Sequence, residues 1–166
     1  MQVPGIPPKH WIEVATKCAA GVASASLGRE LHVVGETTAN HHDGRCGSLV
    51  SLVSGSNVTY IAVAATPGGC RELAGAMLGL DAADSEDLSH DDIRDSIGEL
   101  VNIVAGAIKS EMLSEDPGLT LGLPLFIDGN YESDRRAETV SVVCDVGGVE
   151  CIVSVVVGAA AHCSAA

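Results

Sequence analysis

Two side chains three residues apart, Glu99 and Asn102, are the candidates for chemistry in this chain of 166 residues. On a helix, residues at i and i+3 lie side by side, so a carboxylate and a carboxamide placed there can address one target. Neither is a nucleophile at neutral pH without help. A carboxylate pairs with cations, and a carboxamide both donates and accepts hydrogen bonds. Such a pair suits a site that another molecule's reactive centre completes. The surrounding pattern is helical. At about 100° per residue, Ile93, Ile97, Leu100, Val104 and Ile108 fall in a sector of roughly 80°, the apolar stripe of an amphipathic helix. Asp92, Asp95, Glu99, Asn102 and Gly106 fall in a second sector of about 80° on the opposite side. A solvated face is the ordinary account of charges on a helix. Asn is a mediocre helix former, however, and an interior Gly costs roughly 1 kcal/mol against Ala. Lys, Gln or Ala would serve a merely wet face better. Gly106, one turn past Asn102, lets another surface approach closely.

The elements that position this face are legible on either side of it. Ser89 is a good N-cap, with Asp91 and Asp92 in the first turn. The helix runs to about residue 113, where Ser114-Glu115-Asp116-Pro117-Gly118 stops it. An acidic linker, residues 81–88, precedes it. A strand over 119–127 follows, with Pro124 inside it; proline in a strand suits an edge or a bulge.

At these residues the chain resembles a known family. Asp95-x-x-x-Glu99-x-x-Asn102, then twenty-one residues, then Pro124, is similar to the signature of the CheC, CheX and FliY chemotaxis phosphatases. Ala76-Met77-Leu78-Gly79 sits where such proteins end the preceding helix, and Leu123-Pro124 where a strand follows. The likeness extends from about residue 11 to about 157. It points to the CheX type, because one copy of the site is present. In two-site relatives the first helix carries its own copy; here Lys9, Glu13 and Thr16 stand at those positions, and we read that site as absent. The resemblance implies a phosphatase acting on the aspartyl phosphate of a CheY-like response regulator. Asn102 would hold the attacking water and Glu99 would dock with the receiver's lysine. Asp95 and Gly106 would face the partner, and Pro124 would be structural. It implies that Mg2+ is supplied by the receiver, so that this chain needs no cofactor of its own, and that the chain is a homodimer in which two sheets join. The alternative is a non-catalytic dimeric adaptor that binds a receiver domain or a flagellar switch component through the same helix. A small-molecule sensor has no supporting motif.

Nine Lys and Arg against twenty-two Asp and Glu give a net charge of −13. That sign argues against nucleic acid and anionic membrane surfaces as partners. No apolar run reaches the length of a membrane span, and the Pro-rich first ten residues lack a signal-peptide core. The expectation is a cytoplasmic chain of one domain over 1–166, with a core from about 11 to 157, an extended leader over 1–10 and a loose tail over 158–166. With one Trp, two Tyr and one Phe, the core must be aliphatic.

In chain order, the pattern predicts a first helix over 11–27 and a strand over 30–38. A hairpin over 47–65 turns at Gly55-Ser56, and a helix spans 70–80 after the turn Thr66-Pro67-Gly68-Gly69. A closing hairpin over 137–157 turns at Gly147-Gly148. The glycine-rich turn before residue 70 lacks a full phosphate-binding pattern and reads as a plain strand-to-helix connection. The six Cys form no Cys-x-x-Cys pair and read as buried free thiols; Cys144 should sit across from Cys151. The His41-His42 loop near Cys46 has no supporting second ligand cluster, so no metal site is assigned. The sequon at Asn57 is inert without secretion. The fold class is α+β: helices packed on a largely antiparallel sheet, CheC/CheX-like.

Overall fold

The computed structural model describes residues 5–38, 44–129 and 137–159. The His41-His42 loop and the tail from 160 onward lie outside the described residues. Among the described residues four α-helices, α1 (Pro8–Val22), α2 (Pro67–Met77), α3 (Ala82–Ser85) and α4 (His90–Glu111), accompany seven strands. The strands are β1 (Leu31–Thr37), β2 (Cys46–Ser54), β3 (Asn57–Ala65), β4 (Thr120–Leu121), β5 (Leu125–Asp128), β6 (Glu138–Val146) and β7 (Val149–Ala159). They form one antiparallel sheet in the order β1-β6-β7-β3-β2, with β4 and β5 both paired to the far side of β2. This is the α+β class that the sequence predicts. Among the described residues no helix is long and apolar enough to cross a membrane.

The hairpins form where the turn residues require them. Gly147 and Gly148 have φ of 58° and 93°, the left-handed pair of a two-residue hairpin turn. That turn sets the register of β6 and β7 and brings Cys144 opposite Cys151, as expected. Both thiols are free. Burial pushes the Cys144 thiol up to about 11 and that of Cys151 up to about 12.

Alternate residues of the strands meet α1 and α4 in one aliphatic core. Val50, Leu52, Ile61, Val142, Cys144, Val153 and Val155 pack with Trp11, Ala15, Val22, Leu100, Val104 and Ile108. A second cluster under α2 joins Cys70, Leu73 and Ala74 to Ile93, Ile97 and Cys151. The other face of β7 is also buried. Ile152, Ser154 and Val156 are 2%, 0% and 8% exposed, and the Ser141 and Ser154 hydroxyls hydrogen-bond at 2.8 Å. This explains why β7 reads as a continuous apolar run rather than an alternating one.

Four boundaries differ from expectation. The extended leader was expected to reach residue 10, but Pro8 already begins α1 with Pro7 as N-cap; a proline at the first helical position gives up only an N–H that has no intrahelical partner. For the same reason α2 begins at Pro67 rather than 70, and Thr66 caps it by accepting from the Gly69 amide at 3.1 Å. The acidic linker contains one helical turn, α3, because Asp81 accepts from the Asp84 amide at 2.9 Å. The tail was expected to start at 158, but β7 continues to Ala159, where the register pairs Ala159 with Asn57.

Pro124 produces the largest departure. The sequence predicts one strand over 119–127; the structure has two, β4 and β5, with Gly122, Leu123 and Pro124 between them. Leu121 pairs with Leu52 and Leu125 with Leu49, so three residues stand opposite two. This is a one-residue bulge at the sheet edge. Proline has no N–H to give the ladder, and an edge bulge is where a sheet tolerates that.

Candidate functional site

Helix α4 is held at both ends. Ser89 caps it in a reciprocal box: its hydroxyl accepts from the Asp92 amide at 3.1 Å, and the Asp92 carboxylate accepts from the Ser89 amide at 3.2 Å. His90 in the first turn stacks edge-on against Phe126 of β5, with centroids 5.9 Å apart, and reaches Asp128 at 3.7 Å. At the far end α1 runs antiparallel alongside, with Lys17 paired to Glu111 and His10 to Glu115. Between these anchors Ile93, Ile97, Leu100, Val101, Val104 and Ile108 are buried.

The opposite face carries the predicted site. Asp95 and Glu99 are exposed, while Asn102 and Gly106 are half-buried. Among the described residues, the side chains of Glu99 and Asn102 make no hydrogen bond or ion pair. Asp95 is partly engaged, with its carboxylate 3.5 Å from Arg94, which also reaches Asp91. A β-carbon at Gly106 would meet nothing within 4 Å, so no contact inside the chain requires a glycine there.

Pro124, twenty-two positions after Asn102, packs beside this helix. A β-carbon at Gly98 would stand 3.9 Å from Pro124 Cβ and 3.9 Å from the Ser48 hydroxyl. The bulge thus presses proline against the turn of α4 that precedes Glu99. Ser48 and Gly98 are the supporting residues that sequence reasoning missed. Ser48 is 2% exposed and, among the described residues, its hydroxyl has no hydrogen-bond partner. The available signal was its place in β2, where its same-parity neighbours Cys46, Val50 and Leu52 are all buried and the strand-end Ser54 is the other polar residue of the row. A polar residue in that row marks a spot against a close neighbour.

Asn102 is one turn beyond Gly98 and about 40° further round the helix axis. It therefore stands on the Pro124 side of the exposed face, and Glu99 leans toward α1. On α1 the Thr16 hydroxyl donates back to the Ile12 carbonyl at 2.8 Å. Among the described residues no three His, Cys, Asp or Glu side chains stand together as a metal site. The arrangement presents an uncommitted acceptor and an uncommitted carboxamide on a braced, convex helix.

The family described as chemotaxis phosphatase CheX matches residues 48–146, more than half of the chain. No curated protein matches it. Among solved structures, a CheC-like superfamily protein from Shewanella sp. PV-4 superposes with a TM-score of 0.75 at 15% identity, covering 89% of this chain and 97% of that one. The chemotaxis protein CheX from Vibrio vulnificus gives 0.73 at 14%, covering 90% and 99%. The CheX of a CheX–CheY–BeF3–Mg2+ complex from Borrelia burgdorferi gives 0.68 at 19%, covering 89% and 97%.

Proposed function

The chain belongs to the CheX family of chemotaxis phosphatases, and from that premise we propose that it hydrolyses the aspartyl phosphate of a CheY-like response regulator in the cytoplasm. The observation that carries this reading is the pair Glu99 and Asn102, side by side on one face of α4 and unengaged among the described residues. The Borrelia relative at 19% identity was crystallised with CheY, beryllofluoride and magnesium, which names the partner class.

In the proposed reaction the receiver holds its own phosphoaspartate with Mg2+ and a lysine. Slow hydrolysis there lacks an aligned water. The Asn102 carboxamide donates one hydrogen bond and accepts another, which fixes a water in line with the phosphorus. Water oxygen bonds to phosphorus as the phosphorus–oxygen bond to the aspartate breaks; the water's proton leaves to solvent, and inorganic phosphate and a free carboxylate result. Glutamine orients water in the same way in GTP hydrolysis. Glu99 pairs with the receiver's lysine and sets the register of α4 in the cleft. Pro124 and the Ser89 cap keep that helix rigid.

The test is phosphate release from a receiver protein kept phosphorylated by a small phosphodonor with magnesium, with this chain substoichiometric. Multiple turnovers are expected. Binding without acceleration across the organism's receivers would leave the adaptor reading in place.

Gly106 supplies a sharper comparison. Gly106→Ala adds a methyl group that meets nothing in the chain, so it is expected to stabilise the fold by about 1 kcal/mol. Turnover should nevertheless fall about tenfold, because close backbone approach by the receiver is lost. Thermal melting and phosphate release on one sample read both; a variant as active as the parent removes Gly106 from the docking face.

The homodimer is proposed through β1. Among the described residues that edge strand pairs only with β6, and it exposes Val33 by 53% and Val34 by 70%. An unpaired edge with exposed valines favours strand-to-strand joining. Val34→Lys should convert the dimer to a monomer in light scattering; an unchanged mass would exclude this edge.

A further inference from the structure

We infer that Leu123, at the tip of the edge bulge, is an apolar docking contact for the receiver and sets its affinity. This rests on the phosphatase reading above and adds a residue outside the signature. Leu123 is the most exposed large apolar side chain among the described residues, at 89%. Its position follows from the chain geometry. β5 runs alongside α4 in the opposite direction: His90 lies against Phe126 and Asp128, and Gly98 lies against Pro124. Leu123 is the residue next to Pro124, which packs on Gly98, and it therefore lies beside the middle of α4 on the flank that Asn102 faces.

The available area requires such a contact. The exposed sector of α4 is about 30 Å long and about 9 Å wide, roughly 270 Å2. A specific interface takes about 800 Å2 from each partner, and a transient one about 600 Å2. A body seated on Glu99 and Asn102 must therefore spread onto a flank. On the α1 flank lies a furrow whose lining includes Gly21, Ala25 and Ala107, and none of the exposed large apolar side chains is on α1. The bulge flank presents Leu123, held in place by Pro124. Interface energy concentrates in a few anchored side chains; the α1-side furrow offers the half-buried Ile103, whereas Leu123 stands fully out beside the pair, free to enter a pocket of the partner. Leu125, 59% exposed, is not part of the contact: it pairs with Leu49, whose parity in β2 points away from the helices.

The experiment compares Leu123→Ser and Leu125→Ser, each checked by melting and light scattering. Steady-state phosphate release and titration with a receiver carrying beryllofluoride and magnesium are measured on both. Leu123→Ser is expected to raise KM and the beryllofluoride-complex Kd roughly tenfold, about the value of one buried leucine, with kcat within twofold. Leu125→Ser should change neither. Equal effects from both variants, no effect from Leu123→Ser, or a change in its oligomeric mass would overturn the inference. If the parent binds the complex but releases no phosphate, the hydrolysis reading fails, and the Kd comparison still decides the role of Leu123.

Discussion

Asn102→Ala is expected to reduce the phosphate-release rate by roughly 10²-fold or more, while the Kd for a beryllofluoride-bearing receiver stays within about threefold. The magnitude follows from what alignment contributes: a reacting group displaced by about 1 Å can cost 10²-fold. The direction follows from geometry. Asn102 is half-buried on the Pro124 side of α4 and makes no hydrogen bond among the described residues, so its removal breaks nothing that holds the fold. Melting of the variant should match the parent. Asn102→Asp keeps the size and loses the N–H donors, and it should be nearly as slow. Single-turnover kinetics separate the two effects: a lower kcat with unchanged binding marks water alignment, and a parallel rise in Kd would make Asn102 a docking residue instead. Glu99→Ala is the complementary variant, since loss of a lysine partner acts first on binding.

The second large effect is on stability. Ile97 is 2% exposed and packs with Leu73, Ala74 and Cys151 beneath the turn that carries Glu99. Ile97→Ala removes three carbons there and leaves a cavity, at a cost of about 2–5 kcal/mol. Against a total stability of roughly 5–15 kcal/mol that is a large fraction, and it corresponds to a fall in Tm of about 4–20 °C. The same variant tests how the site is held. At a temperature where the protein remains folded, kcat should fall little, because the Ser89 cap and His90 still hold the start of α4, and Pro124 still packs on Gly98 from another side of the helix. A large loss of activity with a small change in Tm would mean that the orientation of Glu99 depends on Ile97 itself.

The helical face was legible because its pattern is long and consistent. Over twenty-two residues, the apolar stripe, the Ser89 cap and the stop sequence all specify one element. The two hairpins were legible from Gly55-Ser56 and Gly147-Gly148 for the same reason: the turn residues and the β-branched flanks agree. Starts of α1 and α2 were misplaced because prolines read as extended leaders when the helix behind them is not yet visible; in both cases the proline is the first helical residue. The split at Pro124 could be anticipated as a bulge but not as two strands, since that depends on where Leu52 and Leu49 lie in β2. Strand order was not readable at all. Nothing local in residues 149–159 says that they pass between β6 and β3. Ser48 was invisible as a site residue because its importance is a contact with Gly98, fifty positions away in the chain.

That strand order has a consequence for synthesis. The β2–β3 hairpin is complete by Ala65, yet the strand that pairs with the open side of β3 is β7, which begins only at Val149. A ribosome adding about 5–20 residues per second takes roughly 4–17 s to bridge that interval. Throughout it, the edge of β3 presents unpaired amides and carbonyls beside Ile61 and Val63, a template for any other nascent strand. Non-local pairing of this kind also slows folding after release. Lowering the temperature of synthesis is therefore expected to raise the soluble fraction of this chain more than it would for a helical bundle of the same length.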